Sequence, residues 1–210
     1  MIRPVIHRWL TRPIAGPDLS PPDPRDVWDG YQPFANVGRR NFLQETLEVP
    51  LMVRALGLPL GARILEVGCG RGVALPPLAR LCAPRRLVGL DIDAAFLEEA
   101  ARRLAERGVP AELHRGDVRR LPFPDGSFDI VIDFGTCYHI ARAAEALSET
   151  ARVLVPGGIL VHETRLSQLL SHPIRSFGRT LPWHAAGVLV PYQRAVLWSA
   201  RRKRVTPAPA

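Results

Sequence analysis

A strand running straight into a glycine turn that opens a helix constrains this chain more than any other feature. In Ile64-Leu65-Glu66-Val67-Gly68-Cys69-Gly70-Arg71-Gly72 an apolar run is followed by glycine at every second position. Glycine reaches left-handed backbone conformations at no steric cost and lets a ligand approach the main chain. In open α/β sheets the crevice beyond the carboxyl ends of the strands is where nucleotide-type ligands sit. The G-x-G-x-G spacing, with Glu66 two residues before the first glycine, is not the pyrophosphate fingerprint, because position 73 is valine. No Gly-Lys-Ser/Thr follows the turn, which excludes a P-loop as well.

The pattern around this turn repeats. Short apolar runs suited to buried parallel strands fall at 63–67, 86–91, 112–115, 128–134 and 158–163, with helical stretches at 73–82, 94–107 and 141–154 between most of them. That alternation predicts an α/β fold, a Rossmann-like doubly wound sheet of seven strands, mostly parallel. Residues 187–190 and 194–200, joined at Pro191, Tyr192 and Gln193, read as a closing C-terminal antiparallel hairpin. A helix at 166–177 is weakened by Pro173, and an amphipathic helix at 36–56 is broken or kinked at Pro50. The first 33 residues hold seven prolines and read as an extended arm. We expect one domain: an N-terminal arm with lid helices over 1–60, a ligand-binding core over 61–165, and a basic cap with closing strands over 166–210.

Charge is unevenly placed. The net charge of +8 comes from 28 basic and 20 acidic residues, yet residues 165–210 carry 8 of the basic residues and no acid, so 1–164 are balanced at 20 against 20. No apolar run approaches the roughly 18–20 residues a membrane span needs. Arg3, Arg8 and Arg12 interrupt the first sixteen residues, which does not suit a secretory signal. Three cysteines, Cys69, Cys82 and Cys137, without metal-ligand spacing, suit free thiols in a reducing cytoplasm and no metal site.

Four elements in order make the chain resemble the class I S-adenosylmethionine-dependent methyltransferases, in particular the small-molecule branch called the methyltransferase domain 11 or 25 type. They are Glu66-Val67-Gly68-Cys69-Gly70-Arg71-Gly72; Val88-Gly89-Leu90-Asp91-Ile92-Asp93; Gly116-Asp117-Val118 followed by Leu121-Pro122-Phe123 and Ser127-Phe128-Asp129-Ile130-Val131; and Arg152-Val153-Leu154-Val155-Pro156-Gly157-Gly158. The resemblance covers about residues 35–165. It implies S-adenosylmethionine as cofactor and S-adenosylhomocysteine as product. Glu66, Gly68, Cys69, Gly70 and Gly72 would lie at the methionine end, Asp91 and Ile92 at the ribose, and Asp117 and Val118 at adenine. Asp133 and Phe134, ending the fourth strand, would face the methyl. A carboxylate such as Asp91 accepts from two ribose hydroxyls better than a neutral group does, and each of these acids has the alternative of capping the next helix.

The acceptor side is less patterned. His139 is the candidate general base, since its ordinary pKa of about 6.5 suits proton removal near neutrality; packing within its loop is the equal alternative. The Asn/Asp-Pro-Pro-Tyr/Phe motif of amine methylation is replaced by Asp133-Phe134-Gly135-Thr136, and Cys137 lacks the Pro-Cys context of a nucleophile. Trp28, Tyr31 and Phe34 either form a lid, with Tyr31 near the methionine end, or pack on the sheet. The expected reaction is methyl transfer by in-line displacement to a small, apolar or aromatic acceptor. Alternatives are a quinone or lipid met at a membrane surface through the basic C-terminal segment, with the protein cytoplasmic and peripheral, or RNA bound through Arg201-Arg202-Lys203-Arg204. The absence of an RNA-binding module or base-flipping signature argues against nucleic acid.

Overall fold

The computed structural model describes residues 36–171 and 180–205. Its strands are β1 Arg63–Val67, β2 Arg86–Asp91, β3 Glu112–Arg115, β4 Phe128–Asp133, β5 Leu154–Glu163, β6 Leu189–Arg194 and β7 Trp198–Lys203, in the order β3-β2-β1-β4-β5-β7-β6. Strands β1 to β5 pair in parallel, and β7 runs antiparallel between β5 and β6. The chain builds outward from β1 to β3, then returns to lay β4 on the other side of β1. The crevice above the carboxyl ends of β1 and β4 is therefore the topological switch point.

The helices are α1 Val37–Leu43, α2 Val49–Leu56, α3 Leu75–Cys82, α4 Ala94–Arg107, α5 Thr136–His139, α6 Ala143–Val153 and α7 Arg165–Ser171. Alternation along each strand divides its side chains between two apolar layers. Leu65, Val67, Leu90 and Val131 pack with Leu147 and Ala151 of α6, while Ile64, Ile130 and Ile132 pack with Met52 of α2 and Leu75 and Leu78 of α3. Each such buried side chain contributes about 1.5–3 kcal/mol relative to exposure, so the central strands are held rigidly and their carboxyl ends are fixed in space.

Several expected boundaries move, each for a physical reason. The break expected at Pro50 is a π turn at Gln44–Glu48, where the Val49 N–H donates to the Gln44 carbonyl; Pro50 then lies in the first turn of α2, where no N–H is needed. The helix expected from residue 73 starts at Leu75, and that expected over 141–154 spans Ala143–Val153 after a short α5 that the sequence did not suggest. The fourth strand stops at Asp133, and Phe134 lies beyond it. The fifth begins at Leu154 because an irregularity absorbs Pro156-Gly157-Gly158: Phe128 pairs with Leu154, but Ile130 pairs with Ile159. The C-terminal hairpin exists, with its turn at Ala195-Val196-Leu197 and not at 191–193. Pro191 sits in β6, an edge strand, beside a register shift, where a missing donor is tolerated. Of the helix expected over 166–177, Arg165–Ser171 is helical and the remainder lies outside the described residues, as does the arm with Trp28, Tyr31 and Phe34.

Part of the C-terminal basic run is committed to this fold. Lys203 Nζ donates to the Leu154 carbonyl at 2.6 Å and the Arg152 carbonyl at 3.3 Å. Arg201 donates to the Leu189 carbonyl at 3.0 Å and stacks on Trp183, and Arg202 lies over Tyr192. Replacing Lys203 with Ala should destabilise the protein by about 1–2 kcal/mol in urea unfolding, from the loss of a charged donor to two carbonyls. An unchanged midpoint would show that the ammonium is merely surface charge.

Candidate cofactor and acceptor site

Three glycines end β1, all with left-handed φ, and each is required for a different reason. A Cβ on Gly68 would overlap the Thr136 hydroxyl and lie 2.9 Å from Thr136 Cβ, so the turn sits directly against the start of α5. A Cβ on Gly72 would lie 2.9 Å from Ala100 Cβ, so this glycine lets α4 approach. Beside Gly70 nothing described lies within 4 Å of that position, which leaves its backbone open to a ligand.

Asp91 fixes the turn from the neighbouring strand. Its Oδ2 accepts from the Gly70 N–H at 2.7 Å and its Oδ1 from the Asp93 N–H at 2.9 Å, while the Cys69 N–H donates to the Leu90 carbonyl. Each carboxylate oxygen retains a lone pair. Burial raises the Asp91 carboxyl despite those backbone donors. Asp93 caps α4, accepting from the Ala95 and Phe96 N–H groups. Ile92, half-buried between the two acids, offers its carbonyl to Arg115.

Asp117 lies two residues beyond β3. Arg119 binds both of its oxygens, with Nε at 2.9 Å from each, so an incoming amine would share this carboxylate with a guanidinium. Val118 is buried in the core beside it. Arg119 is not among the expected site residues, although an arginine two residues after an acid is a visible signal for such a pair.

Asp133, buried at the end of β4, accepts weakly from the Cys137 N–H at 3.3 Å, and burial raises its carboxyl. Phe134, beyond the strand, is half-buried against the layer that holds α2 and α3. Burial raises the thiols of Cys69 and Cys137, which leaves both as unreactive packing groups. His139 ends α5 and is buried, and burial pulls its imidazole down to about 4, so it is neutral at neutral pH. Glu66 is buried in β1, with its carboxyl raised by burial and then by Asp91; its Oε2 has no hydrogen-bond partner among the described residues. Glu163, which in sequence is only the end of a strand, is equally buried and closes the row at the end of β5.

Residues 65–162 match the methyltransferase domain family. Over 102 residues the chain is 39% identical to the fatty-acid O-methyltransferase of Mycolicibacterium smegmatis, covering 49% of this chain and 36% of that protein. The matched segment, just under half of the chain, is similar to the class I S-adenosylmethionine-dependent methyltransferases. The chain is also 37% identical over 102 residues to phthiotriol/phenolphthiotriol dimycocerosates methyltransferase 1 of Mycobacterium ulcerans, covering 49% and 37% of the two chains. The match thus spans little more than a third of these relatives' length. A crystal structure of a SAM-dependent methyltransferase from Aquifex aeolicus shares the fold, with a TM-score of 0.64 at 19% identity over 77% of this chain and 91% of that one.

The site suits this methyltransferase cofactor. Asp91, Glu66, Asp133 and Glu163 stand on the four adjacent strands β2, β1, β4 and β5, all buried and all with carboxyls raised by desolvation. A cation placed beside such a desolvated acid favours its charged form, and S-adenosylmethionine carries a sulfonium and an ammonium but no phosphate. Gly70 and Glu66, whose Oε2 has no partner among the described residues, both lie at the carboxyl end of β1 beside the switch point. Among the described residues no group of three His, Cys, Asp or Glu side chains could hold a metal ion.

Proposed function

We propose that the protein transfers the methyl group of S-adenosylmethionine to an oxygen of an apolar, lipid-like acceptor by in-line displacement. The observation that carries the reading is the end of β1 at the switch point, where no described atom lies within 4 Å of a Cβ position on Gly70 and Glu66 Oε2 is buried without a partner among the described residues. Glu66 and the Gly68 to Gly72 turn, with Cys69, take the methionine end. Asp91 and Ile92 take the ribose, Asp117 and Val118 the adenine, and Asp133 and Phe134 border the methyl. The bound cofactor supplies an electrophilic methyl on sulfur; the protein's task is to align an acceptor oxygen with it and exclude water.

Two things support an apolar acceptor. The relatives are named for fatty acids and for phthiotriol dimycocerosates. In addition, elements framing the β4 and β5 ends expose large apolar groups: Phe42 and Leu47 before α2, Leu166 on α7, and Val196 at the hairpin turn. That turn is tied to the end of β5, since Thr164 donates to the Val196 and Leu197 carbonyls. Such a rim also suits an acceptor presented by a membrane surface, and no described helix is long and apolar enough to cross one.

Radiolabelled S-adenosylmethionine incubated with fatty alcohols, alkylphenols, quinols and fatty acids tests the reading. Label extracted into organic solvent with one of these acceptors is expected. Transfer only to RNA would overturn it.

A further inference from the structure

The cofactor turn and the ends of β4 and β5 are separated by a wall two residues long. On one face of that wall Thr136 lies against Gly68, and its hydroxyl donates to the Val67 carbonyl at 3.2 Å. On the other face lies Gly135, with a φ of +93°, where a Cβ would sit 2.6 Å from Gln168 Nε2 and 2.9 Å from Glu163 Oε2. Gln168 Nε2 donates to Glu163 Oε2, and both side chains are buried. Gly135 is glycine because this carboxylate and amide press against it.

The pair has unused capacity. Gln168 Oε1 is buried with no hydrogen-bond partner among the described residues, a state that is unfavourable until a donor arrives. The amide also serves both protonation states of its neighbour. As placed, Nε2 donates to the carboxylate; turned over, Oε1 accepts from the carboxylic acid.

We propose that Glu163 is the proton acceptor in methyl transfer, positioned by Gln168, and that the acceptor is therefore an alcohol or phenol and not a carboxylate. This rests on the reading above. The acceptor hydroxyl sits at the ends of β4 and β5. Its oxygen lone pair forms the new bond to the methyl carbon, the carbon–sulfur bond breaks with its electron pair going to sulfur, and the hydroxyl proton passes to Glu163. The neutral acid returns that proton to solvent as the product leaves. A carboxylate acceptor would need no base and would be repelled by Glu163 and Asp133.

The charged and titratable groups facing Glu163 are Arg40 of α1 and Glu48 of the π turn, paired at 2.7 Å, and Asp133 of β4. Ser167 of α7 hydrogen-bonds its carboxyl, and Tyr138 of α5 donates to its main-chain carbonyl. Burial outweighs the pull of Arg40 and pushes the Glu163 carboxyl up to about 7. The carboxylate form therefore appears as pH rises through neutrality, matching a base that works there, whereas His139 near 4 is poorly matched.

The test compares hexadecanol, 4-nonylphenol and hexadecanoate as acceptors from pH 5.5 to 9. Transfer to the alcohol or phenol should rise through about pH 7 and level off. Glu163→Gln should lower kcat by a hundredfold or more and remove that limb. Gln168→Leu, which removes the donor to the carboxylate, should move the limb to higher pH by about one unit. A preference for hexadecanoate, or a Glu163→Gln enzyme with normal kcat and an unchanged limb, overturns the proposal.

A second measurement needs no acceptor. A carboxyl raised in the native state binds a proton there that the unfolded chain has lost, so stability falls as pH rises from about 4.5 to about 7. Glu163→Gln removes that loss, and its melting temperature should exceed that of wild type at pH 8 by more than at pH 5. Parallel curves overturn the proposal. If wild type methylates none of the three compounds, the lipid-like reading itself fails, and the proposal stands or falls on the melting curves.

Discussion

Gly68→Ala is expected to cripple this protein, and Gly70→Ala to leave it folded but unable to hold its cofactor well. The two positions are two residues apart in one turn, with φ of +65° and +50°, so the cost of placing alanine in left-handed backbone, about 1–2 kcal/mol, is common to both. They differ in what surrounds them. At Gly68 the new methyl overlaps the Thr136 hydroxyl, and Thr136 is anchored to the Val67 carbonyl and cannot swing aside without losing that bond. Overpacking adds about 1–3 kcal/mol, for a total of about 2–5 kcal/mol in urea unfolding. At Gly70 the methyl meets no protein atom among the described residues within 4 Å, so stability should drop by about 1–2 kcal/mol while affinity for S-adenosylmethionine falls much further. Equal stability losses in the two variants would refute this division of roles.

Asp91→Ala should have the second largest effect, with two parts that separate experimentally. The carboxylate holds the Gly70 and Asp93 N–H groups, and loss of these charged hydrogen bonds, offset by relief of a buried charge, should cost about 1–3 kcal/mol of stability. The same carboxylate is the one expected at the ribose hydroxyls, so cofactor affinity should fall at least about a hundredfold. Asp91→Asn keeps one acceptor oxygen and turns its amide donors towards an N–H, so it should fall between. Calorimetric titration at a temperature where both variants remain folded separates the two effects. Wild-type affinity in Asp91→Ala would remove Asp91 from the cofactor site.

The parallel half of the fold was legible because its determinants are local. Buried strands flanked by helices leave apolar runs at a regular spacing, and Arg63–Val67, Arg86–Asp91, Glu112–Arg115 and Ala94–Arg107 have the boundaries the pattern predicts. Boundaries were misread where a tertiary partner decides what a Pro or Gly does. Pro191 reads as a turn until its position on the sheet edge is known, and Pro50 reads as a break until the π turn before it is seen. The cofactor side was legible because one short segment carries its glycines and acid. The acceptor side was not, since Gly135, Glu163 and Gln168 come from three elements and meet only after β4 and β5 pair. Likewise, the C-terminal positive charge reads as a binding surface in sequence, whereas Lys203 and Arg201 reach main-chain carbonyls in the fold.

Calorimetric titration of S-adenosylmethionine into the full chain at pH 7.5 tests the central claim most directly. Binding at one site per chain, with a dissociation constant between about 1 μM and 1 mM as is usual for enzyme substrates, and its weakening by Gly70→Ala and Asp91→Ala, is the predicted result. No binding at millimolar S-adenosylmethionine by a folded protein would contradict it.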